Sequence, residues 1–133
     1  MMVWGGDVYT DEQLRAMPPL EGNWSYSIIE EGLYLFGPAD AMDYFINHSC
    51  DPNLWLTDAV TLVARRDIQP GDEIRGDYAI WESEPSYVLE PCQCGSRLCR
   101  ARVTGNDWMI PKLQVRYEGH FLPFLSQRIA AGS

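Results

Sequence analysis

Apolar residues along this chain fall into short runs broken by glycine, proline and acidic pairs, and few of the runs hold a helical period. Tyr26-Ser27-Ile28-Ile29 and Leu33-Tyr34-Leu35-Phe36 flank Glu30-Glu31-Gly32, a pattern that predicts a β-hairpin in which Gly32 supplies a positive φ. Ala59 to Ala64 is apolar and β-branched, and Gln69-Pro70-Gly71-Asp72 reads as a turn leading into Glu73-Ile74-Arg75. Helical signals are fewer. Thr10-Asp11-Glu12-Gln13 forms a capping box, with Thr10 accepting from the third amide and Gln13 reaching back, and it opens a short helix through about Ala16 that Pro18-Pro19 ends. Pro111 suits the first turn of a helix to about Glu118, and Phe121 to Ile129 reads as a second short amphipathic piece. Residues 82 to 91, with Glu82, Glu84, Pro85 and Pro91, read as a polar connector. No internal repeat, heptad pattern or low-complexity tract interrupts this picture of a mostly β domain with few short helices and a helical C-terminal tail.

Size and charge narrow the function. A chain of 133 residues is one domain, able to bury roughly two-thirds of its unfolded surface. It is 46% hydrophobic and 22% charged, with no apolar run near the 18 or so residues a bilayer crossing needs, so a globular protein away from membranes is expected. Met1-Met2-Val3-Trp4 runs straight into Gly5-Gly6-Asp7 with no basic region or long apolar stretch, so a cytoplasmic setting is the default expectation. The formal charge of −9, with only ten Lys and Arg, argues against a direct grip on nucleic-acid phosphates. A basic, lysine-containing protein partner is favoured instead, although the acidity equally serves to keep a small protein in solution.

The four cysteines are Cys50, Cys92, Cys94 and Cys99. Three of them stand in Cys-x-Cys-x4-Cys spacing, one ligand short of a tetrahedral zinc site, and Cys50 is the remaining thiol. Cys-x-Cys is poorly placed to bridge itself, and a reducing compartment favours thiolate metal sites over disulfides. Zinc on four thiolates is therefore preferred over buried free thiols, a disulfide or an iron–sulfur cluster. Its role would be structural, because four protein ligands leave no position for a reacting water. Such an ion would fasten the C-terminal segment onto Asn47 and His48.

Asn47-His48-Ser49-Cys50-Asp51-Pro52-Asn53 resembles the signature of SET-domain protein lysine methyltransferases. Pro70-Gly71-Asp72-Glu73-Ile74-Arg75-Gly76-Asp77-Tyr78 resembles the second SET motif, and Cys92 to Cys99 followed by Arg100 resembles the post-SET zinc segment. The three occur in the family's order and cover roughly residues 1 to 105. The resemblance implies a β-clip fold of small curved sheets with a pseudoknot, in which residues 1–83 form the SET domain, 84–105 the post-SET zinc-binding segment and 106–133 a C-terminal helical extension, folded as one unit. It also implies methyl transfer from S-adenosylmethionine to a protein lysine, with Tyr78 at the reaction centre. Asn47 and His48 match the residues that hold the cofactor, through the Asn side chain and backbone groups around the His. Tyr26 aligns loosely with an aromatic position that contacts cofactor in some members, Tyr44 borders it three positions before Asn47, and Trp108 closes over the adenine once the metal has fixed the tail. The plainer alternatives stay open: a surface Tyr78, a core His48, a turn-forming Asn47 and a Trp108 that only packs.

The chain departs from the family pattern in places. No Gly-x-Gly occurs, and Val3 to Val8 stands where the family has the strand after that segment. Truncation, a homodimer whose second subunit supplies the missing wall, and weak cofactor handling are the alternatives, and the last leads to a second reading: a zinc-stabilised SET-like protein-binding module without turnover. Ala101 replaces a common glycine after the third post-SET cysteine. Gly76 replaces an often aromatic residue linked to methylation multiplicity, so the wall there is expected to lose bulk and to admit more than one methyl. By analogy, the minimal architecture fits a free-standing bacterial or viral type.

Overall fold

A computed structural model describes residues 1–18, 24–38 and 46–132. Among the described residues the strands form three small sheets and there are three short α-helices, in agreement with the mostly β reading. The hairpin is β3 (Trp24–Glu30) against β4 (Leu33–Pro38), in register Tyr26↔Phe36 and Ile28↔Tyr34, with Gly32 at φ 72° in the turn. β2 (Asp7–Thr10) adds to the other edge of β4. Thr10 then caps α1 (Asp11–Ala16): its Oγ1 accepts from Gln13 N at 3.1 Å, and Gln13 Oε1 accepts from Thr10 N at 2.8 Å.

The five-stranded sheet runs β1 (Met2–Val3), β7 (Thr61–Ala64), β6 (Leu54–Leu56), β8 (Arg75–Gly76), β5 (Asn47–His48). β5 and β6 are neighbours in sequence, yet β8 lies between them and runs parallel to both, with Gly76 opposite His48 and Leu54. Asn53 holds this insertion: its Nδ2 donates to Glu73 O at 2.9 Å and its Oδ1 accepts from Arg75 N at 2.8 Å, a side chain completing a backbone ladder. Ser49 N donates to Gly76 O at 2.9 Å on the other side. The Asn-His-Ser-Cys run and the second motif therefore meet strand to strand.

β9 (Val88–Leu89) and β10 (Val103–Thr104) form the third sheet and bracket the cysteine segment. After them come α2 (Pro111–Arg116) and α3 (Pro123–Ala130), each opened by a proline where an amide would have had no partner. α2 stops at Arg116, two residues before the expected Glu118, with Tyr117 at its end. These helices are not an appendage. Tyr117, Leu122 and Leu125 are wholly buried and share one core with Leu35, Leu56, Leu62 and Ile80, and Leu122 N donates to Ile80 O at 3.0 Å. Each such Leu contributes about 1.5–3 kcal/mol on burial, so the C-terminal segment is part of what holds the sheets together. No helix among the described residues is long and apolar enough to cross a membrane.

Candidate functional site

The four thiols converge. The sulfurs of Cys50, Cys92, Cys94 and Cys99 all lie within 4.8 Å of one another, with Cys50 and Cys92 3.9 Å apart, and none is in a disulfide. Four thiolates at about 2.3 Å from a zinc ion would stand roughly 3.8 Å apart, so the donor set fits such an ion. The loop that carries three of them is closed by Cys92 N donating to Ala101 O at 2.7 Å and turned by Cys99 N to Ser96 O at 3.2 Å. Burial pushes the Cys50 thiol up from its ordinary pKa, against the Arg100 amide and charge, whereas Cys94 is brought down to about 6 despite burial by backbone hydrogen bonds at Cys50 and Ser96 and by the Cys92 and Cys99 thiols. Cys94 is thus already disposed to the thiolate that a metal requires.

His48 links this cluster to Tyr78. The Tyr78 amide donates to His48 Nδ1 at 3.1 Å, so Nδ1 carries a lone pair and the imidazole proton sits on Nε2, which faces Cys50 Sγ at 3.2 Å. Nδ1 also lies 3.8 Å from Asp77 Oδ1. With the ring in this tautomer that approach is not an ion pair, and burial, aided by Arg100 and opposed by Asp77 and Asp107, holds the His48 pKa below its usual value. The ring is committed to sulfur on one side and to the Tyr78 backbone on the other.

Tyr78 opens a 3₁₀ turn (Tyr78–Ile80) capped by Asp77, whose carboxylate accepts from Ala79 N at 3.0 Å. Its hydroxyl donates to Ile46 O at 2.7 Å, and burial, with Tyr87 and Glu82 nearby, pushes its pKa up to about 12, so it remains a phenol at neutral pH. It lines a cavity of about 320 Å³ together with the aromatic side chains of Trp4, Tyr26, Trp81 and Tyr87 and the carboxylates of Glu82 and Glu84. Aromatic walls with carboxylates among them suit a cation with an apolar stem.

Two expectations about this pocket are corrected. The stretch 82–91 is not only a polar connector: Glu82, Glu84 and Tyr87 form one wall, held where Gly105 N donates to Tyr87 O at 3.1 Å, and a Cβ at Gly105 would stand 1.7 Å from Glu84 O. Nor does Gly76 leave the wall without bulk, because a Cβ at that position would stand 2.2 Å from Trp81 Cη2. The indole occupies the space that the glycine vacates.

The other candidate residues are placed as follows. Asn47 is exposed, its Nδ2 donating to Glu73 Oε1 at 3.3 Å, while its Oδ1 has no hydrogen-bond partner among the described residues. Tyr26 is 53% exposed at the rim of the Tyr78 pocket. Trp108 is 6% exposed within the main core, with the Arg128 guanidinium 5.8 Å from its ring centre, and it does not line that pocket. Tyr44 lies outside the described residues. Sequence reasoning missed Trp4, Trp81 and Tyr87; the density of aromatics around Tyr78 was the available signal.

Residues 8–79 match the family model described as SET domain, more than half of the chain and a span that includes Asn47, His48 and Tyr78. The chain belongs to the SET-domain family. It is similar to the histone-lysine N-methyltransferase TRX1 of Oryza sativa subsp. japonica, 30% identical over 89 residues that make up 62% of this chain and 8% of that protein. The histone-lysine N-methyltransferase SETMAR of Bos taurus is 36% identical over 76 residues, 43% of this chain and 25% of the relative. A histone-lysine N-methyltransferase, H3 lysine-4 specific, of Cryptococcus neoformans is 38% identical over 63 residues, 41% and 4% of the two chains. This chain therefore spans a quarter or less of the length of these SET-domain relatives.

Proposed function

We propose that this SET domain transfers methyl groups from S-adenosylmethionine to the side chain of a lysine in a basic protein substrate. The observation that carries the reading is the Tyr78 hydroxyl, donated to the Ile46 carbonyl inside an aromatic pocket with two carboxylates in its wall. The cofactor, when bound, supplies an electrophilic sulfonium methyl. Everything else falls to positioning by the protein. Glu82 and Glu84 draw the ammonium toward the pocket, and the apolar walls then disfavour its charged form. This matters because a free lysine, with a pKa near 10.4, is neutral in only about one molecule in a few thousand at pH 7. Since the Tyr78 proton is engaged by Ile46 O, the phenol oxygen is left to accept from the incoming amine and to orient its lone pair.

Asn47, with an exposed side-chain amide, fits a polar end of the cofactor, and backbone groups around His48 fit its base. Tyr26 borders the same pocket from the rim, and Tyr44 stays assigned to the cofactor side by resemblance. Trp108 stays with the core on this reading. A zinc ion on Cys50, Cys92, Cys94 and Cys99, in the manner of a post-SET segment, would hold His48, and through it Tyr78, in place. The test is incorporation of labelled methyl groups into a lysine-rich histone peptide by the metal-loaded chain. Tyr78→Phe is expected to lower the rate at least about 100-fold with an unchanged melting temperature. A folded Tyr78→Phe protein with the full rate, or no calorimetric heat with cofactor at high micromolar concentration, would overturn the proposal.

A further inference from the structure

Gly76 and Trp81 share one volume. The backbone of Gly76 is fixed from both sides, paired with His48 and Leu54 and with its carbonyl accepting from Ser49 N at 2.9 Å, so its Cβ direction is set by the sheet. Along that direction lies the six-membered ring of Trp81, with Cη2 at 2.2 Å, Cζ3 at 2.7 Å and Cζ2 at 3.3 Å from an ideal Cβ. The indole arrives from the opposite end of the Tyr78 turn, its own amide donating to Tyr78 O at 3.1 Å. Trp4 meets it edge-on at 5.1 Å and 89°, and Tyr78 leans on it at 5.6 Å and 47°. A ring held between two other aromatics does not yield by rotating, and packed interiors do not stretch to admit an extra methyl group.

We propose that Trp81 sets how many methyl groups a nitrogen held at Tyr78 can carry, an assignment that rests on the reading of this pocket as a lysine site. The wall facing that nitrogen is supplied by a residue three positions after Tyr78 and not by the residue two positions before it. Gly76 is then the condition for Trp81 to be there. Any side chain at 76 expels the indole, and a smaller residue at 81 leaves room beside the nitrogen that the wild-type pocket lacks. The aromatic face is useful in its own right, since a methylated ammonium is still a cation.

The experiment compares the wild type with Trp81→Phe, which keeps an aromatic face and removes the second ring, and with Trp81→Leu should the first fail to fold. Mass spectrometry of a lysine peptide after exhaustive turnover is expected to show the ratio of di- and trimethyl to monomethyl product rising severalfold in the smaller variant. Gly76→Ala in the Trp81→Phe background should bring it back toward the wild-type ratio. Folded, active variants at both sizes with the wild-type product ratio would overturn the assignment. Should the wild type not turn over at all, the lysine-transfer reading fails separately, and binding decides the inference. By fluorescence titration, the affinity for a trimethyl-lysine peptide relative to the unmodified peptide should rise severalfold in Trp81→Phe, and equal ratios would sink it. Gly76→Ala should also lower the melting temperature more in the wild-type background than beside Phe at position 81; equal losses would deny the shared volume.

Discussion

Asp77 and Arg100 are joined inside the protein by two hydrogen bonds of 2.8 and 2.9 Å, and the pair ties the residue before Tyr78 to the residue after Cys99. Tyr117 Oη donates to the same carboxylate at 2.7 Å, which brings in the C-terminal helices, and Arg100 Nε reaches Asp107 at 3.1 Å. Asp77 is fully buried. Removing Arg100 leaves the buried carboxylate without its counter-charge, with only the Tyr117 hydroxyl and the Ala79 amide still donating to it, so Arg100→Met is expected to cost about 3–5 kcal/mol, read as a shift of the urea unfolding midpoint. Arg100→Lys should fall in between, since it keeps a charge and loses the two-pronged geometry. A midpoint unmoved in Arg100→Met would mean that the bidentate pair contributes nothing to stability.

The same carboxylate gives a pH dependence with a definite sign. Burial raises the Asp77 pKa, but the hydrogen bonds and charge of Arg100, the Ala79 amide and the Tyr117 hydroxyl outweigh it and hold the group below the usual carboxylate range. With the folded value depressed, the unfolded chain binds the proton first on acidification. The stabilisation is fully present above the unfolded value near pH 4 and is lost as pH falls through the folded one. Unfolding free energy followed by urea titration from pH 6 to pH 2 should therefore fall more steeply below pH 4 in the wild type than in Asp77→Asn. Parallel curves would assign the acid loss to other groups.

Metal removal should be felt at Tyr78. Cys50 Sγ and the Tyr78 amide are bridged by one imidazole, so a change at sulfur is passed on within two hydrogen bonds. Elemental analysis is expected to give one zinc per chain. Stripping it with a chelator, or substituting Cys50→Ser, should lower the melting temperature and weaken cofactor binding together. Metal-free protein that melts and binds as before would separate the cluster from the site.

Local features of this fold were legible because they are written in adjacent residues. The hairpin around Gly32, the capping box at Thr10 and the gathering of Cys50 with Cys92, Cys94 and Cys99 each follow from spacing, turn chemistry or donor type. What was not legible depends on residues far apart in the chain. Nothing in the pattern of Arg75 and Gly76 says that they insert between β5 and β6, and parallel neighbours of this kind carry no turn signal. Asp77 meets residues 23 and 40 positions away, and a lone Asp, Arg or Tyr reads as a surface residue until the fold brings them together. The expected loss of bulk at Gly76 was not seen for the same reason: bulk absent at one position was present at another.

Ala101 has φ 63°, in the left-handed region that glycine adopts freely and alanine does not. Its carbonyl accepts from Cys92 N at 2.7 Å, so the conformation is imposed by the closure of the cysteine loop and cannot relax without opening it. An alanine held there costs roughly 1–2 kcal/mol; a glycine would relieve that cost, and its greater freedom in the unfolded chain would cancel part of the gain. Ala101→Gly is therefore expected to stabilise the metal-loaded protein by about 0.5–1 kcal/mol, seen as a higher melting temperature at equal zinc content. A lower melting temperature would mean that this backbone relaxes in solution, and that the unfolded-state entropy of glycine is the larger effect.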